Sequence, residues 1–434
     1  MTSSTGPAPV RSPRFHPAWA VAAVAFLALI GAAGFRAAPG ALMVPLHEEF
    51  GWSTSIMSLA VSINLLLFGL TAPFAAALMD RFGIRQVVAA ALTLVALGAG
   101  GSVFMTASWQ LLVFWGVLIG LGTGSMALVF AATIATRWFH KRRGLVMGML
   151  TAGSATGQLI TLPLVAHLAD TAGWRQASLV IAGVALIVVP IVWVVMRDHP
   201  HERGVLPYGA HEGYEPPATV TGSAFRRAVN GLTFAARHKA FWALAGAFAI
   251  CGATTNGLIG VHFIPSAHDH GMSQTTAAGL LAAVGIFDIA GTVASGWLTD
   301  KFDPRILLAL YYGFRGVSLM LLPLLLSATV HPSMVLFVVI YGLDWVATVP
   351  PTATLCREIF GEQGTIVFGW VFASHQVGAA MAALGAGVIR DSFGTYTYAW
   401  WAGAVLCAIA VVLSLVVRPH RKIAPAPVAA MATD

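Results

Sequence analysis

The strongest constraint on this chain is its supply of apolar runs long enough to cross a bilayer. A spanning helix needs about 20 predominantly apolar residues. Runs of that kind lie at 18–44, 53–77, 87–106, 110–135, 144–166 and 177–196. After a polar stretch they resume at 240–265, 274–298, 306–327, 333–355, 365–389 and 397–417. In 434 residues, 58% are apolar and only 9% are charged, too few to clothe a water-facing surface. That excludes a soluble globular fold, a disordered chain and a coiled coil. The first run follows Arg11 and Arg14 but is too long for a signal-peptide core, so it is read as a retained helix. Cys251, Cys356 and Cys407 lie far apart without C-x-x-C spacing, so neither a disulfide framework nor a zinc site is expected.

Twelve spans bring both termini to one side. Twenty of the Lys and Arg residues fall on that side, in the tails and in the loops that carry Arg81, Arg85, Arg137, Lys141, Arg142, Arg143, Lys301, Arg305 and Arg357. Arg175 and Arg390 alone fall opposite. The positive-inside rule therefore predicts cytoplasmic termini. The net charge of +7 is used for orientation, and no nucleic-acid partner is expected. The expected organisation is a cytoplasmic tail at 1–17, six spans over 18–196, a polar cytoplasmic loop at 197–239, six spans over 240–417 and a cytoplasmic tail at 418–434. Within the loop, Phe225, Val229, Leu232 and Phe234 alternate with Arg226, Arg227, Arg237 and Lys239, which suits a helix on the inner membrane surface.

A fixed offset relates the halves. Asp80 and Asp300 differ by 220, as do Arg81 and Lys301, Arg85 and Arg305, and Arg137 and Arg357. In a chain so poor in charge this argues for duplication. The expected fold is an all-α membrane protein of twelve transmembrane helices, arranged as two parallel six-helix bundles around a central cavity.

Two stretches carry a family resemblance. Met79-Asp80-Arg81-Phe82-Gly83-Ile84-Arg85 and Gly296-Trp297-Leu298-Thr299-Asp300-Lys301-Phe302-Asp303-Pro304-Arg305 resemble the G-x-x-x-D-[RK]-x-G-[RK]-[RK] loop of the major facilitator superfamily. Ala76 replaces the leading Gly of the first copy, and Asp303 the inner Gly of the second. The resemblance implies gating by Asp80, Arg81, Arg85, Arg137, Asp300, Lys301, Arg305 and Arg357. A carboxylate at one helix end can meet the N-terminus of another helix or a neighbouring Arg. Plain topology and solvation would also place charge there. Trp138-Phe139-His140-Lys141-Arg142-Arg143, followed by Gly148, Ala152, Gly153 and Gly157, is similar to the fifth-helix signature of monocarboxylate transporters. Its glycines suit close helix approach, whether sliding or static.

Ionisable groups inside a bilayer face a cavity or a partner. Here they are Arg36, Asp288, Arg315, Asp344 and His375, with Asn64, Gln158, Asn256, His262 and Gln376 as further polar groups. Arg36 and Asn256 are 220 apart. The resemblance puts Arg36, Asn256, His375 and Gln376 on cavity-lining helices as substrate-binding residues, and a guanidinium fork suits a carboxylate. Asp288 and Asp344 are the proton-coupling candidates, since desolvation disfavours a charged carboxyl. Arg315 is expected in a buried pair with Asp344 or Asp288. His375 suits either a proton relay or a satisfied core histidine. In monocarboxylate transporters the eighth helix resembles D-x-x-x-R, whereas here Asp288 is followed by Thr292, and the family's first-helix lysine is absent. Asp344-Trp345 ahead of Pro350-Pro351 predicts a broken tenth helix.

The resemblance implies a bacterial-type, monocarboxylate-porter-like secondary transporter in the inner membrane, functional as a monomer and not an enzyme. No cofactor or metal is expected. The expected partners are a small organic anion, protons and lipid. Proton-driven export of amphipathic compounds is the alternative, and a non-transporting sensor on the same fold is the weakest reading.

Overall fold

The computed structural model describes residues 16–126, 128–211 and 224–417. The expected tails at 1–17 and 418–434 lie almost entirely outside the described residues, as does the acidic and Pro-bearing middle of the central loop. The described chain is helical apart from loops and one isolated bridge between Phe139 and Tyr208.

The spanning helices of the first half are α1 (Pro17–Phe50), α2 (Thr54–Phe82), α3 (Ile84–Ser102), α4 (Ser108–Trp138), α5 (Arg143–Thr171) and α6 (Trp174–Val195). A short helix, α7 (Ala224–Ala235), precedes the second half. There α8 (Lys239–Asp269), α9 (Gln274–Thr299) and α10 (Pro304–Leu325) are continuous. The next span is broken into α11 (Pro332–Asp344) and α12 (Val349–Phe360), and α13 (Gly364–Phe393) and α14 (Thr397–Val416) complete the chain. Among the described residues ten stretches are apolar and long enough to cross a bilayer, one of them, Pro332–Phe393, containing two spans. With α5 this makes the expected twelve. Most helices run past the apolar runs that predicted them. Hydrocarbon thickness limits the apolar stretch but not the helix, whose ends continue to their caps.

The duplication is visible in the caps. Gly51 closes α1 with φ +66, and Ser53 caps α2 by accepting from Ile56 N–H. Gly271, at φ +85, follows α8, and Ser273 caps α9 by accepting from Thr276 N–H. Each pair is 220 apart. The inner Gly of the first loop motif and its substitute in the second do the same work by different means. Gly83 has φ +84, and the carboxylate of Asp198 accepts from Arg85 N–H at 3.0 Å. In the second copy Asp303 itself accepts from Arg305 N–H at 2.9 Å and pairs with its guanidinium. The two N–H donors are also 220 apart, so the departure from the motif keeps the helix cap.

The halves meet along two antiparallel helix pairs. On α2 and α13, Ser58 touches Gly387, the Ser62 hydroxyl donates to Ala380 C=O at 2.7 Å, and Gly69 abuts Gln376. On α5 and α9, Leu159 lies 2.8 Å from where a Cβ would sit on Gly285. At the first helix of each half, Gly40 approaches the Val261 carbonyl, where a Cβ would come within 3.0 Å. All these contacts belong to the middle and to the face opposite the chain ends, called here the far face. The terminal face, which carries Pro17 and Val416, is different. Eleven residues is about three helical turns, so Gly296 shares a face with Gly285, and Gly148 with Leu159. Among the described residues, a Cβ on Gly296 or Gly148 would meet nothing within 4 Å. Leu145 and Trp297 nearby are 53% and 57% exposed. Over about 16 Å of helix the α5–α9 seam passes from closed to parted.

α7 spans the other seam at the terminal face. Phe225 stacks on Phe74 of α2 with ring centroids 4.9 Å apart, and Trp370 of α13 donates to Ala228 C=O at 2.8 Å. Part of the apolar face expected to lie on the membrane thus covers helix ends. The first part of the central loop also docks: Tyr208 N–H donates to Trp138 C=O, and its ring packs beside Trp19 and Phe139.

Candidate functional site

Two groups of polar residues lie at the seams. The first is on the α2–α13 side. The Arg36 guanidinium of α1 lies 4.9 Å from the Phe68 ring centroid on α2. Phe68 and Ala72 pack against Phe372 of α13, whose ring is parallel to that of His375 at 5.8 Å. Phe248 of α8 also packs on the imidazole, tilted, with ring centroids 4.9 Å apart. Cation, rings and imidazole thus form one layer across the halves, and such a layer favours a cation over an aromatic face. His375 Nδ1 and Gln376 Oε1 are buried without hydrogen-bond partners among the described residues. Buried polar atoms of that kind call for an explanation, such as a ligand or water. Asn256 is half-buried in a π-helical stretch of α8, Ala253–Ile259, a distortion frequent at functional sites.

The second group is on the α5–α9 side. A cavity of about 40 Å³ is lined by Gln158, Leu159 and Leu162 of α5, by Gly285 and Asp288 of α9, and by Trp345. That is room for roughly one water. Asp288 Oδ1 accepts from Thr292 Oγ1 and from Val346 N–H, each at 3.0 Å. The Thr that stands where the resembled family has Arg is therefore a hydrogen-bond donor to the Asp. Among the described residues Asp288 has no ion-pair partner.

Arg315 settles on Asp344. Its Nε donates to Asp344 Oδ2 at 2.5 Å, and Nη2 donates to the Asp344 and Trp345 carbonyls at 2.7 and 3.3 Å. Nη1 meets Cys251 Sγ at 3.0 Å. The pair is sealed, with side chains 0% and 6% exposed. The expected break in the tenth span is present, between Asp344 and Val349, and its backbone groups are taken up from three sides. Arg315 takes two carbonyls, Asp288 the Val346 N–H, and Ser295 Oγ donates to Ala347 C=O at 2.5 Å. Satisfied in this way, the break can stand beside a cavity inside the membrane. It is what holds Trp345 against the cavity. Sequence reasoning missed Ser295 and the backbone of Val346, because nothing in a sequence says which donor an unwound turn will present.

The gating candidates divide. Arg137 donates to Asp80 Oδ1 at 2.5 Å within the first half, whereas the repeat-related Asp300 and Arg357 form no ion pair among the described residues. Arg81 lies over Phe82, Arg85 over Trp193 and Lys301 over Trp297. Arg305 joins Asp303 and the Val417 carbonyl, and Arg357 donates to Thr354. Near Arg137, desolvation, with Arg137 and His201 beside it, holds His199 below the usual histidine range. No metal-ligand cluster of His, Cys, Asp or Glu occurs among the described residues.

Comparison with known proteins agrees with this architecture. The family model described as Major Facilitator Superfamily matches residues 24–368. The MFS-type transporter YcxA of Bacillus subtilis (strain 168) is 27% identical, over 94% of this chain and 95% of that protein. Monocarboxylate transporter 13 of Rattus norvegicus is 29% identical, over 93% of this chain and 89% of its own length. Among solved structures, a D-xylose-proton symporter superposes with a TM-score of 0.71 at 14% identity, covering 91% of this chain and 97% of that one. A bacterial homolog of the human lysosomal transporter Spinster, in an inward-facing and occupied conformation, gives 0.66 at 17% identity, over 94% and 96%.

Proposed function

We infer a function from one premise: the chain belongs to the Major Facilitator Superfamily, whose members are membrane transporters and not enzymes. On our reading it is a secondary transporter that takes up a small carboxylate-type anion together with protons by alternating access. Both termini are cytoplasmic, as the twenty-to-two division of Lys and Arg argues. The parting of the α5–α9 seam at the terminal face then makes this conformation inward-facing. The six-span units are 18–196 and 240–417, joined by the loop at 197–239, in a bacterial-type inner membrane.

The observation that carries the proton assignment is Asp288. It is a carboxylate on a small cavity at the seam between the halves, bonded only by neutral donors among the described residues. A group so placed can take and release a proton as the seam opens and closes. Asp344 belongs to the same network, but its pairing with Arg315 gives it the task of holding the break while Asp288 carries the proton. Arg36 holds the substrate carboxylate, with His375, Gln376 and Asn256 as further polar contacts. The aromatic layer around Arg36 favours an anion with an apolar body, and it is also what supports the alternative of exporting amphipathic compounds.

The test uses proteoliposomes with an inward proton gradient and a panel of carboxylates. One or more should accumulate. Arg36→Ala should abolish binding. Asp288→Asn should lose gradient-driven accumulation yet keep counterflow. Accumulation by Asp288→Asn against a substrate gradient would overturn the proton assignment, and dye efflux without anion uptake would favour export.

A further inference from the structure

The far face is held shut by a repeated device at the ends of the fifth helix of each half. Asp391, two residues before the end of α13, reaches across to the start of α2 in the other half. Its Oδ1 accepts from Thr54 N–H at 3.1 Å and its Oδ2 from Ser55 N–H at 2.7 Å. Asp170, one residue before the end of α5, reaches the start of α9 in the opposite sense, where it accepts from Thr275 Oγ1 at 2.8 Å. Ser55 and Thr275 are 220 apart, and Asp170 and Asp391 are 221 apart. Each carboxylate therefore belongs to one half and grips the second helix of the other, and the two grips are related by the internal duplication.

The physical basis is the unsatisfied N–H groups and the partial positive charge at a helix start. At the start of α2 these donors are already engaged by a carboxylate, in charge-assisted bonds. Neighbouring charges are committed elsewhere: Arg390 pairs with Asp269, and Arg175 with Glu49. At the terminal face the corresponding carboxylates are at the ends of α2 and α9, as Asp80 and Asp300. There Asp80 is held within its own half by Arg137. Grips across both seams are thus made at the far face, while at the terminal face the α5–α9 seam is parted.

We propose that Asp170 and Asp391 are a pair of gate residues that hold the far face closed, and that both must let go before the cavity can open to that side. The proposal concerns the gate alone and does not depend on what is transported or on proton coupling.

Distance measurement between spin labels tests it. Labels on Glu48→Cys and Val330→Cys, at exposed far-face positions of the two halves, report opening of that face in the full-length protein in lipid nanodiscs, without substrate or gradient. The native cysteines are buried. Asp391→Asn should raise the population with the longer label distance by roughly three- to tenfold, the scale expected for losing charge from two partly exposed hydrogen bonds. Asp170→Asn should raise it less, since one hydroxyl donor is involved, and the double variant should exceed either. The other side of the contact supplies a second route. Thr54→Pro removes the Thr54 N–H while fitting the first helical position, and Ser53, with ψ 150°, suits a following proline. It should shift the distances in the same direction, and Asp391→Glu should return them toward the parent. A distance distribution in Asp391→Asn and Thr54→Pro that matches the parent would overturn the proposal. So would a shift of equal size with Asp391→Glu, which would mark general loosening of the loop.

Discussion

Replacing Asp344 with Asn should cost this protein more stability than almost any other change of one atom. The substitution keeps the shape and leaves an oxygen able to accept from Arg315 Nε. What it removes is the negative charge facing a guanidinium whose side chain is 0% exposed. Breaking a buried pair by neutralising one partner costs about 3–5 kcal/mol, because the remaining charge is stranded. At 1.4 kcal/mol per factor of ten, that is roughly two to four orders of magnitude in the folding equilibrium. The effect reaches the backbone too, since Arg315 also takes the carbonyls of Asp344 and Trp345. Arg315→Met should be similarly damaging, leaving those carbonyls short of donors at about 1–3 kcal/mol each. The double variant should be milder than the sum of the two, because no stranded charge remains. Thermal unfolding of purified protein in one detergent, run as a double-mutant cycle, gives the coupling directly. Single variants that unfold with the parent, or a cycle additive to within about 0.5 kcal/mol, would refute the view that this pair holds the broken span.

Other expectations follow from packing at the seams and caps. Gly291→Ala puts a Cβ against the Leu343 carbonyl, so it should cost about 1–3 kcal/mol as overpacking and reduce the monodisperse fraction on size exclusion. Gly296→Ala, on the same helix but with no described residue within 4 Å of the added Cβ, should be neutral or slightly stabilising. Gly148→Leu should fold and bind from the terminal face, yet slow exchange across the membrane at least tenfold by obstructing closure there; parent-like exchange in proteoliposomes would refute the parted seam. Asp198→Ala and Asp303→Ala should each lower stability by about 1 kcal/mol, measured by thermal unfolding, because they cap repeat-related helix starts.

Much of the architecture is legible in the sequence because hydrocarbon imposes a length and a composition on every span. The runs and their 220-residue offset therefore anticipate the helices, and the same offset recurs in caps that carry no charge at all. The break in the tenth span was also legible, from Asp344-Trp345 ahead of Pro350-Pro351. The two anionic candidates illustrate the limit. Asp288 and Asp344 look alike in a sequence, each an isolated acid in an apolar run. One accepts from a threonine and a backbone N–H beside a cavity, and the other is sealed against Arg315.

The sequence by itself determined that the chain crosses a membrane, how many times, and that its halves are copies. These follow from local chemistry: apolar length, turn residues and the repetition of both. The tertiary structure decided which acid meets which base, which glycines are pressed against a neighbour and which face open space, and on which face the halves are joined. Those outcomes depend on the relative placement of helices far apart in the chain, where a shift of one helical turn exchanges one partner for another. Asp391 is the clearest instance. Nothing near it in the sequence names α2, and only the antiparallel packing of α2 against α13 brings its carboxylate to Thr54 and Ser55.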